Sequence, residues 1–356
     1  MVISTDQEIP SALSGVSPLT VFDSLQRGAA APAWIMHGIC ARWQLAEMNV
    51  DAVLIAVSEN ATFRVSVNGL PRMVVRLHRP GYVGDLANAR SELTWVEAIS
   101  TSTPLRTPPP VRGVDGDFVQ SFPGPDSRNW SAVAFEFVSG RILEEHTNLV
   151  PHFAQIGRLT AVLHQQARSW KLPPGFQRFD WNLTDMVGPT ARWGNWENWP
   201  LKRAEHALVK RAEEQALSDL SGLTKSVRSW GLIHSDLRPS NLMLEGNELT
   251  VIDFDDAGFS WFLYDFASAL TFYEHTPEAP EMAANWIEGY SSLVPLTIQD
   301  RKHAAALSVI RRLTMLGWAT THREDALPKN LWTENAPGTV EIASRYLANS
   351  SWLVDG

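Results

Sequence analysis

Leu232-Ile-His-Ser-Asp-Leu-Arg-Pro-Ser-Asn-Leu-Met-Leu runs through a Glu245-Gly-Asn turn into Thr250-Val-Ile-Asp-Phe-Asp-Asp, and most of the chain's chemistry lies in this stretch. Two short apolar segments flank a polar loop that carries His234, Asp236 and Asn241 in the spacing His-x-Asp-x-x-x-x-Asn. Asp253 follows a second apolar run directly. Isolated Asp and Asn residues at turns usually serve as caps. Here four separately specified positions coincide with a strand–loop–strand context. That combination fits phosphoryl transfer, which needs a carboxylate near the acceptor hydroxyl and oxygen ligands for a divalent cation. On this reading Asp236 orients the hydroxyl and takes its proton. Asn241 binds one metal, and Asp253 ligates Mg²⁺ bridging the phosphates. His234 holds the loop by hydrogen bonds. Asp255, two residues on, assists a second metal, contacts the acceptor, or simply ends the strand and does neither.

The rest of the chain is compatible with such a site. Its 356 residues correspond to two domains at roughly 150 residues each. An apolar fraction of 44% and a charged fraction of 19% are globular values, which excludes a disordered or collagen-like polymer. Thirty basic against 39 acidic side chains leave −9, a field that repels phosphate backbones and anionic lipid, so neither nucleic acid nor membrane is an expected partner. Cys40 is the single cysteine, which rules out an internal disulfide. Met1 to Thr20 has no basic segment followed by an apolar core, and no apolar run approaches the roughly 20 residues of a membrane span. The expected location is cytoplasmic.

Residues 1–49, broken by Pro10, Pro18 and Pro32, read as an irregular extension with a short helix over Ile39 to Met48. From Val53 to Leu77 apolar residues alternate with polar ones around an Asn68-Gly69 turn, the pattern of antiparallel strands. Leu86 to Ile99 has helical spacing and stops before the Thr-Pro-Leu-Arg-Thr-Pro-Pro-Pro run. Val111 to Phe122 carries a second hairpin signal at Asp115-Gly116, and Ser131 to Val138 is an apolar strand. Beyond Pro151 the period becomes helical, including Arg203 to Leu220, and helices resume near Trp261. The expected fold class is α+β, with a small sheet domain over 50–139 and a larger, mainly helical domain over 140–356.

His-Ser-Asp-Leu-Arg-Pro-Ser-Asn, Val-Ile-Asp-Phe-Asp-Asp and Tyr264-Asp-Phe-Ala resemble the aminoglycoside phosphotransferase and choline kinase superfamily, the small-molecule branch of the protein-kinase-like fold. Arg76-Leu-His-Arg-Pro-Gly-Tyr and Ser91-Glu-Leu-Thr-Trp are most similar to its homoserine kinase type II and stress-response kinase group. The resemblance runs from about residue 50 to 330. It implies a two-lobed architecture with ATP and Mg²⁺ in the cleft. It also implies that Ser58-Glu-Asn-Ala-Thr-Phe-Arg-Val, with Asn60 at the bend, folds over the phosphates. Arg76 stands where the family usually has a phosphate-binding lysine, and Glu92 matches the helix glutamate that pairs with it. Backbone groups around Glu136 and Val138 would meet the adenine edge, and Asp265 would steady the catalytic loop. Ser235 replaces the common glycine of His-Gly-Asp. Arg238 occupies the position of a lysine or histidine, where a cation either stabilises the transferring phosphoryl group or forms a salt bridge within the loop.

The expected activity is therefore ATP- and Mg²⁺-dependent phosphorylation of a hydroxyl on a small molecule such as an amino alcohol, a hydroxy amino acid or an aminoglycoside-like metabolite. The alternatives are a protein Ser/Thr kinase of the same fold and a catalytically weak nucleotide-binding regulator. Trp181, Trp193, Trp196 and Trp199 are either aromatic walls of the acceptor pocket or core packing. Asp180 and Asp185 beside them suit a cationic acceptor or are simply solvated. His164, on an apolar helix face, reads as a satisfied core histidine.

Overall fold

The computed structural model describes residues 18–45, 48–58, 60–81, 85–125, 128–322, 324 and 327–355. The chain divides into two compact units, one of residues 1–98 and 108–139 and a second of 99–107 and 140–356. The fold is α+β, two-lobed and protein-kinase-like, with a small antiparallel-sheet lobe and a larger helical lobe.

The small lobe begins with α1 (Pro18–Asp23) and α2 (Ala33–Arg42), where the sequence predicts an irregular extension. Pro32 occupies the N-cap of α2, a position where its missing N–H costs nothing, so it starts the helix it was expected to break. Phe22, Ile35 and Ile39 are buried in one core with Leu54, Phe63 and Val75. Strands β1 (Val50–Val57), β2 (Asn60–Val67) and β3 (Leu70–His78) pair antiparallel in sequence. Asn68 and Gly69 take φ of 53° and 80°, the two positive values that a tight β2–β3 hairpin requires. α3 (Leu86–Ser102) packs Ala89 and Leu93 against Phe118, Val119 and Val133. The hairpin expected around Asp115-Gly116 differs in pairing. β4 (Pro110–Val111) and β5 (Gln120–Pro123) each pair with β6 (Asn129–Glu136) and not with one another. The Asp115 carboxylate accepts from Asp117 N and Gln120 Nε2 and so holds the connection as a loop.

In the larger lobe, β7 (Arg141–Ile142) leads to α4 (Phe153–Ser169), whose buried face runs Phe153, Ile156, Leu159, Thr160, Leu163, His164. α5 (Leu183–Met186) and α6 (Arg203–Asp219) follow. β8 (Trp230–Ile233) pairs with β11 (Gly258–Trp261), while β9 (Leu242–Glu245) and β10 (Glu248–Val251) form the hairpin predicted at Glu245-Gly246-Asn247. Helices resume at Tyr264 and not at Trp261, which ends β11. α7 (Tyr264–Ala269), α8 (Ala279–Ser291), α9 (Ile298–Ala319) and α10 (Lys329–Ala348) complete the chain. α4 and α8 meet at Gly157 and Gly289, where an added Cβ would collide with the Trp286 and Ala154 carbonyls. Among the described residues no helix is long and apolar enough to cross a membrane.

Candidate active site

The polar loop between β8 and β9 is held from below by one carboxylate. Asp265, at the start of α7 and fully buried, accepts His234 N at 3.1 Å and Ser235 N at 2.8 Å. It also accepts from His164 Nε2 at 3.0 Å, and His164 Nδ1 lies 2.9 Å from the Tyr290 hydroxyl. Burial holds His164 below the usual imidazole range although Asp265 works against this, so the ring is neutral near pH 7. The proton on Nε2 is then donated to Asp265, and Nδ1 accepts from Tyr290. His164 is thus a satisfied core histidine with a place in the support of the loop. Ser268 Oγ accepts Leu237 N, and His234 Nε2 donates to Ile252 O at 3.0 Å, so His234 fastens the loop to the segment leading to Asp253.

Asp236 is 14% exposed at its side chain and stands amid cations. Oδ1 accepts from Arg311 Nη2, while Oδ2 accepts Asn241 Nδ2 at 2.7 Å and Arg238 Nε at 3.3 Å. Burial works against the charge, but Arg238, Arg311 and His234 outweigh it and hold the carboxyl below the usual carboxylate range. Asp236 is therefore ionised throughout the neutral range. Its two oxygens offer about four acceptor sites, and the three donors leave one for an incoming hydroxyl. Arg238 lies in a salt bridge within the loop, and its side chain is 17% exposed.

For the metal set, Asn241 commits its amide nitrogen to the backbone and side-chain oxygens of Asp236, which leaves its side-chain oxygen as the atom able to bind a cation. Asp253 takes φ of 63°, a left-handed conformation at the end of the β10 segment. Arg178 donates to the Asp255 carbonyl, fixing the turn that carries Asp255. Among the described residues no group of three His, Cys, Asp or Glu forms a metal cage. An amide and one or two carboxylates nevertheless suit Mg²⁺, which keeps several waters and is completed by substrate phosphates.

On the nucleotide side, within the small lobe, Arg76 Nη2 donates to both Glu92 oxygens at 2.7 Å, with the two residues only 4% and 1% exposed. Asn60 opens β2, not a bend, and its buried Oδ1 pairs with His78 Nδ1 at 3.0 Å. Burial and the nearby Arg76 lower His78 to about 3. Glu59 and Tyr82, both in the motifs that carry the resemblance, lie outside the described residues. Glu136 is exposed and its N–H is taken by Pro109 O at 2.8 Å, whereas Val138, two residues beyond, has neither backbone group engaged among the described residues.

The four tryptophans do not form one wall. Trp181 stacks edge-on with Trp193 at 4.9 Å, Trp196 bonds Glu213, and Trp199 meets Trp332. Asp180 pairs with Lys225, and Asp185 caps α5. Two of the tryptophans border the loop chemistry: Trp193 through Arg311, held 5.1 Å from its ring centroid, and Trp181, whose Nε1 donates to the Asp256 carbonyl at 2.8 Å. Arg311 is the residue that motif reading missed. It lies 75 positions from Asp236 on α9, fully buried, with Nε donating to Thr271. The available signal was two adjacent arginines in an otherwise apolar helical run, since buried guanidiniums require partners. Glu144, raised by burial against the pull of Arg238, and Tyr273, raised by burial, also border Arg238 and carry no motif.

A family model described as the phosphotransferase enzyme family matches residues 53–306. The chain belongs to that family. As a phosphotransferase it is similar to a solved microcompartment-associated aminopropanol kinase, with 33% identity, 85% of this chain and 94% of that one covered, and a TM-score of 0.76. An amicoumacin kinase solved with AMP-PNP, Ca²⁺ and Ami shares the fold at 17% identity, covering 87% of this chain and 92% of that one, with a TM-score of 0.69. Among curated relatives, the amicoumacin kinase of Bacillus subtilis (strain 168) is 24% identical over 183 residues, 50% of this phosphotransferase and 51% of that protein. The homoserine kinase of Chelativorans sp. (strain BNC1) is 28% identical over 226 residues, 62% and 64% of the two chains. These matches span about half to two thirds of the curated relatives' lengths.

Proposed function

We propose that the protein is an ATP- and Mg²⁺-dependent kinase acting on the hydroxyl of a small amino alcohol, with a hydroxy amino acid or an aminoglycoside-like compound as related acceptors. The Asp236 carboxylate carries this reading, because it is kept ionised by Arg311 and Arg238 and retains one free acceptor site. The acceptor hydroxyl donates to that site, its oxygen attacks the terminal phosphorus in line, and its proton passes to Asp236 as ADP leaves. A loose transition state moves the proton late, so a carboxylate of low basicity is adequate. When bound to Asn241 and Asp253, with Asp255 nearby, Mg²⁺ would neutralise charge on the phosphates. Arg238, two residues from Asp236, would stabilise charge on the transferred group. Arg76, fixed by Glu92, would meet the nucleotide phosphates, and the open backbone groups of Val138 would meet the adenine edge.

The amino-alcohol preference rests on likeness to the aminopropanol kinase. The homoserine kinase likeness that Arg76-Leu-His-Arg-Pro-Gly-Tyr suggests supports a hydroxy amino acid second. The test is incubation of the protein with ATP, Mg²⁺ and a panel holding 1-amino-2-propanol, choline and homoserine, with products resolved by mass. A phosphorylated amino alcohol is the expected product. Asp236→Asn should lower turnover ~10²–10⁴-fold and Asp253→Ala should abolish Mg²⁺-dependent turnover. Full activity in both variants overturns the site, and phosphate found only in protein from a cell extract overturns the acceptor class.

A further inference from the structure

A cavity of about 440 Å³ opens in the larger lobe among the C-terminal end of α4, the chain before β8, the end of β11 and the segment between α8 and α9. This volume lies within the ~300–1,000 Å³ of small-molecule sites. Its wall is apolar, with Leu223, Trp261, Phe262, Leu263, Leu296 and Leu307, and the 83% exposed Val227 extends the apolar lining outward. Two guanidiniums, Arg168 and Arg228, also line it. Neither has a carboxylate partner among the described residues. Arg168 lies over the Phe262 ring at 4.3 Å and donates to the Arg228 carbonyl at 3.1 Å, which fixes its position without neutralising it. Asp300, the acidic residue of the lining, commits its Oδ2 to Thr297 N and Oγ1, capping α9. Trp261 is 7% exposed, yet its Nε1 meets no acceptor among the described residues, an arrangement that leaves a buried donor unsatisfied.

We propose that this cavity binds a small carboxylic acid with an apolar body and communicates its occupancy to the catalytic loop. The carboxylate would pair with Arg168 and Arg228, the body would cover the apolar wall, and one ligand oxygen would accept from Trp261 Nε1. A phosphate dianion is a poorer fit, because the lining is mostly apolar and Asp300 adds a negative charge. The route to the loop is a chain of directed hydrogen bonds. It starts at Tyr290, whose hydroxyl donates to His164 Nδ1. His164 Nε2 in turn donates to Asp265, which receives the His234 and Ser235 amides. Tyr290 is itself part of the cavity lining. A ligand seated against Tyr290 alters the first link of this chain.

3-Phenylpropionate, its neutral amide and inorganic phosphate are suitable probes, titrated against the intact protein without nucleotide by calorimetry and tryptophan fluorescence. The measurement is therefore independent of the acceptor assigned above. The acid should bind saturably, the amide and phosphate at least ~10-fold more weakly. Trp261→Phe keeps the ring and removes the donor, and Arg228→Ala removes one exposed cation, so each should weaken the acid ~5–50-fold while the variants melt as the parent does. Bound acid should change deuterium exchange at the His234 and Ser235 amides, and Tyr290→Phe should abolish that change while leaving binding in place. A dissociation constant for the acid weaker than ~10 mM, or equal binding of amide and acid, overturns the site. Binding without any change at the loop amides overturns the communication.

Discussion

Asp236 owes part of its ionisation to a residue far away in sequence. Removing the Arg311 guanidinium by Arg311→Met takes one strong donor from Oδ1 and leaves burial of Asp236 less opposed. The folded-state value of Asp236 is depressed, so activity that needs the carboxylate should hold through neutral pH and fall only below the ordinary carboxylate range. In Arg311→Met the acid limb of the kcat/KM profile should move to higher pH, with activity at neutral pH down ~10²-fold. An unshifted limb would show that Arg311 serves packing alone. Ser235 offers a second test at this scale. It holds φ of 70°, is fully buried, and its Oγ meets no partner among the described residues. Ser235→Gly should relieve the left-handed backbone and the orphaned hydroxyl together, stabilising the protein by about 1 kcal/mol in denaturant unfolding even after the greater chain entropy of glycine.

At the level of elements, α9 is unusual in being buried on all sides from His303 to Ala319 while carrying Arg311 and Arg312. About 100° of helical turn separates neighbours, so the pair serves two networks. Arg311 reaches the catalytic loop. Arg312 donates to Glu274 at 3.0 Å and to the Glu334 and Asn335 carbonyls of α10, locking the two helices together. Arg312→Met would strand the Glu274 carboxylate in the core at a cost of ~3–5 kcal/mol. Burial already raises Glu274 against the pull of Arg312, and losing Arg312 raises it further. The stability deficit should be largest at neutral and alkaline pH and narrow as pH falls through the carboxylate range, as read by Tm against pH. Neither arginine's partner was legible in the sequence, because Asp236 and Glu274 are brought to α9 by the packing of α7 and the loops around it. By contrast the loop from His234 to Asp253 could be read directly, since its chemistry and its flanking strands are contiguous. The helix expected over Ile39 to Met48 runs instead as α2 over Ala33–Arg42, because a proline that starts a helix and one that breaks it are the same letter. β4 and β5 were paired wrongly because Asp115-Gly116 is a turn signal whether or not the flanking segments join each other.

For the molecule as a whole, a charge of −9 sets a long-range preference among acceptors. A monocationic amino alcohol should be drawn in by the field and a neutral diol should not. The kcat/KM of the former is therefore expected to fall a few-fold on raising salt well above 0.15 M, with that of the latter unchanged. A parallel loss for both would assign the salt effect to nucleotide binding. Fifteen tryptophans against five tyrosines gain a structural meaning from the same view, because Trp181, Trp196 and Trp286 fill the larger lobe and are fully buried. The Gly157–Gly289 crossing finally makes α4 and α8 act as a gauge block for the support of the loop. With no side chain between them, the two backbones set how far Tyr290 stands from His164, and only a mutual absence of atoms preserves that spacing. A single methyl at either glycine is thus a spacer inserted into the fold's own calibration. It would be read out at the His164–Tyr290 hydrogen bond, with every polar group in the molecule still present.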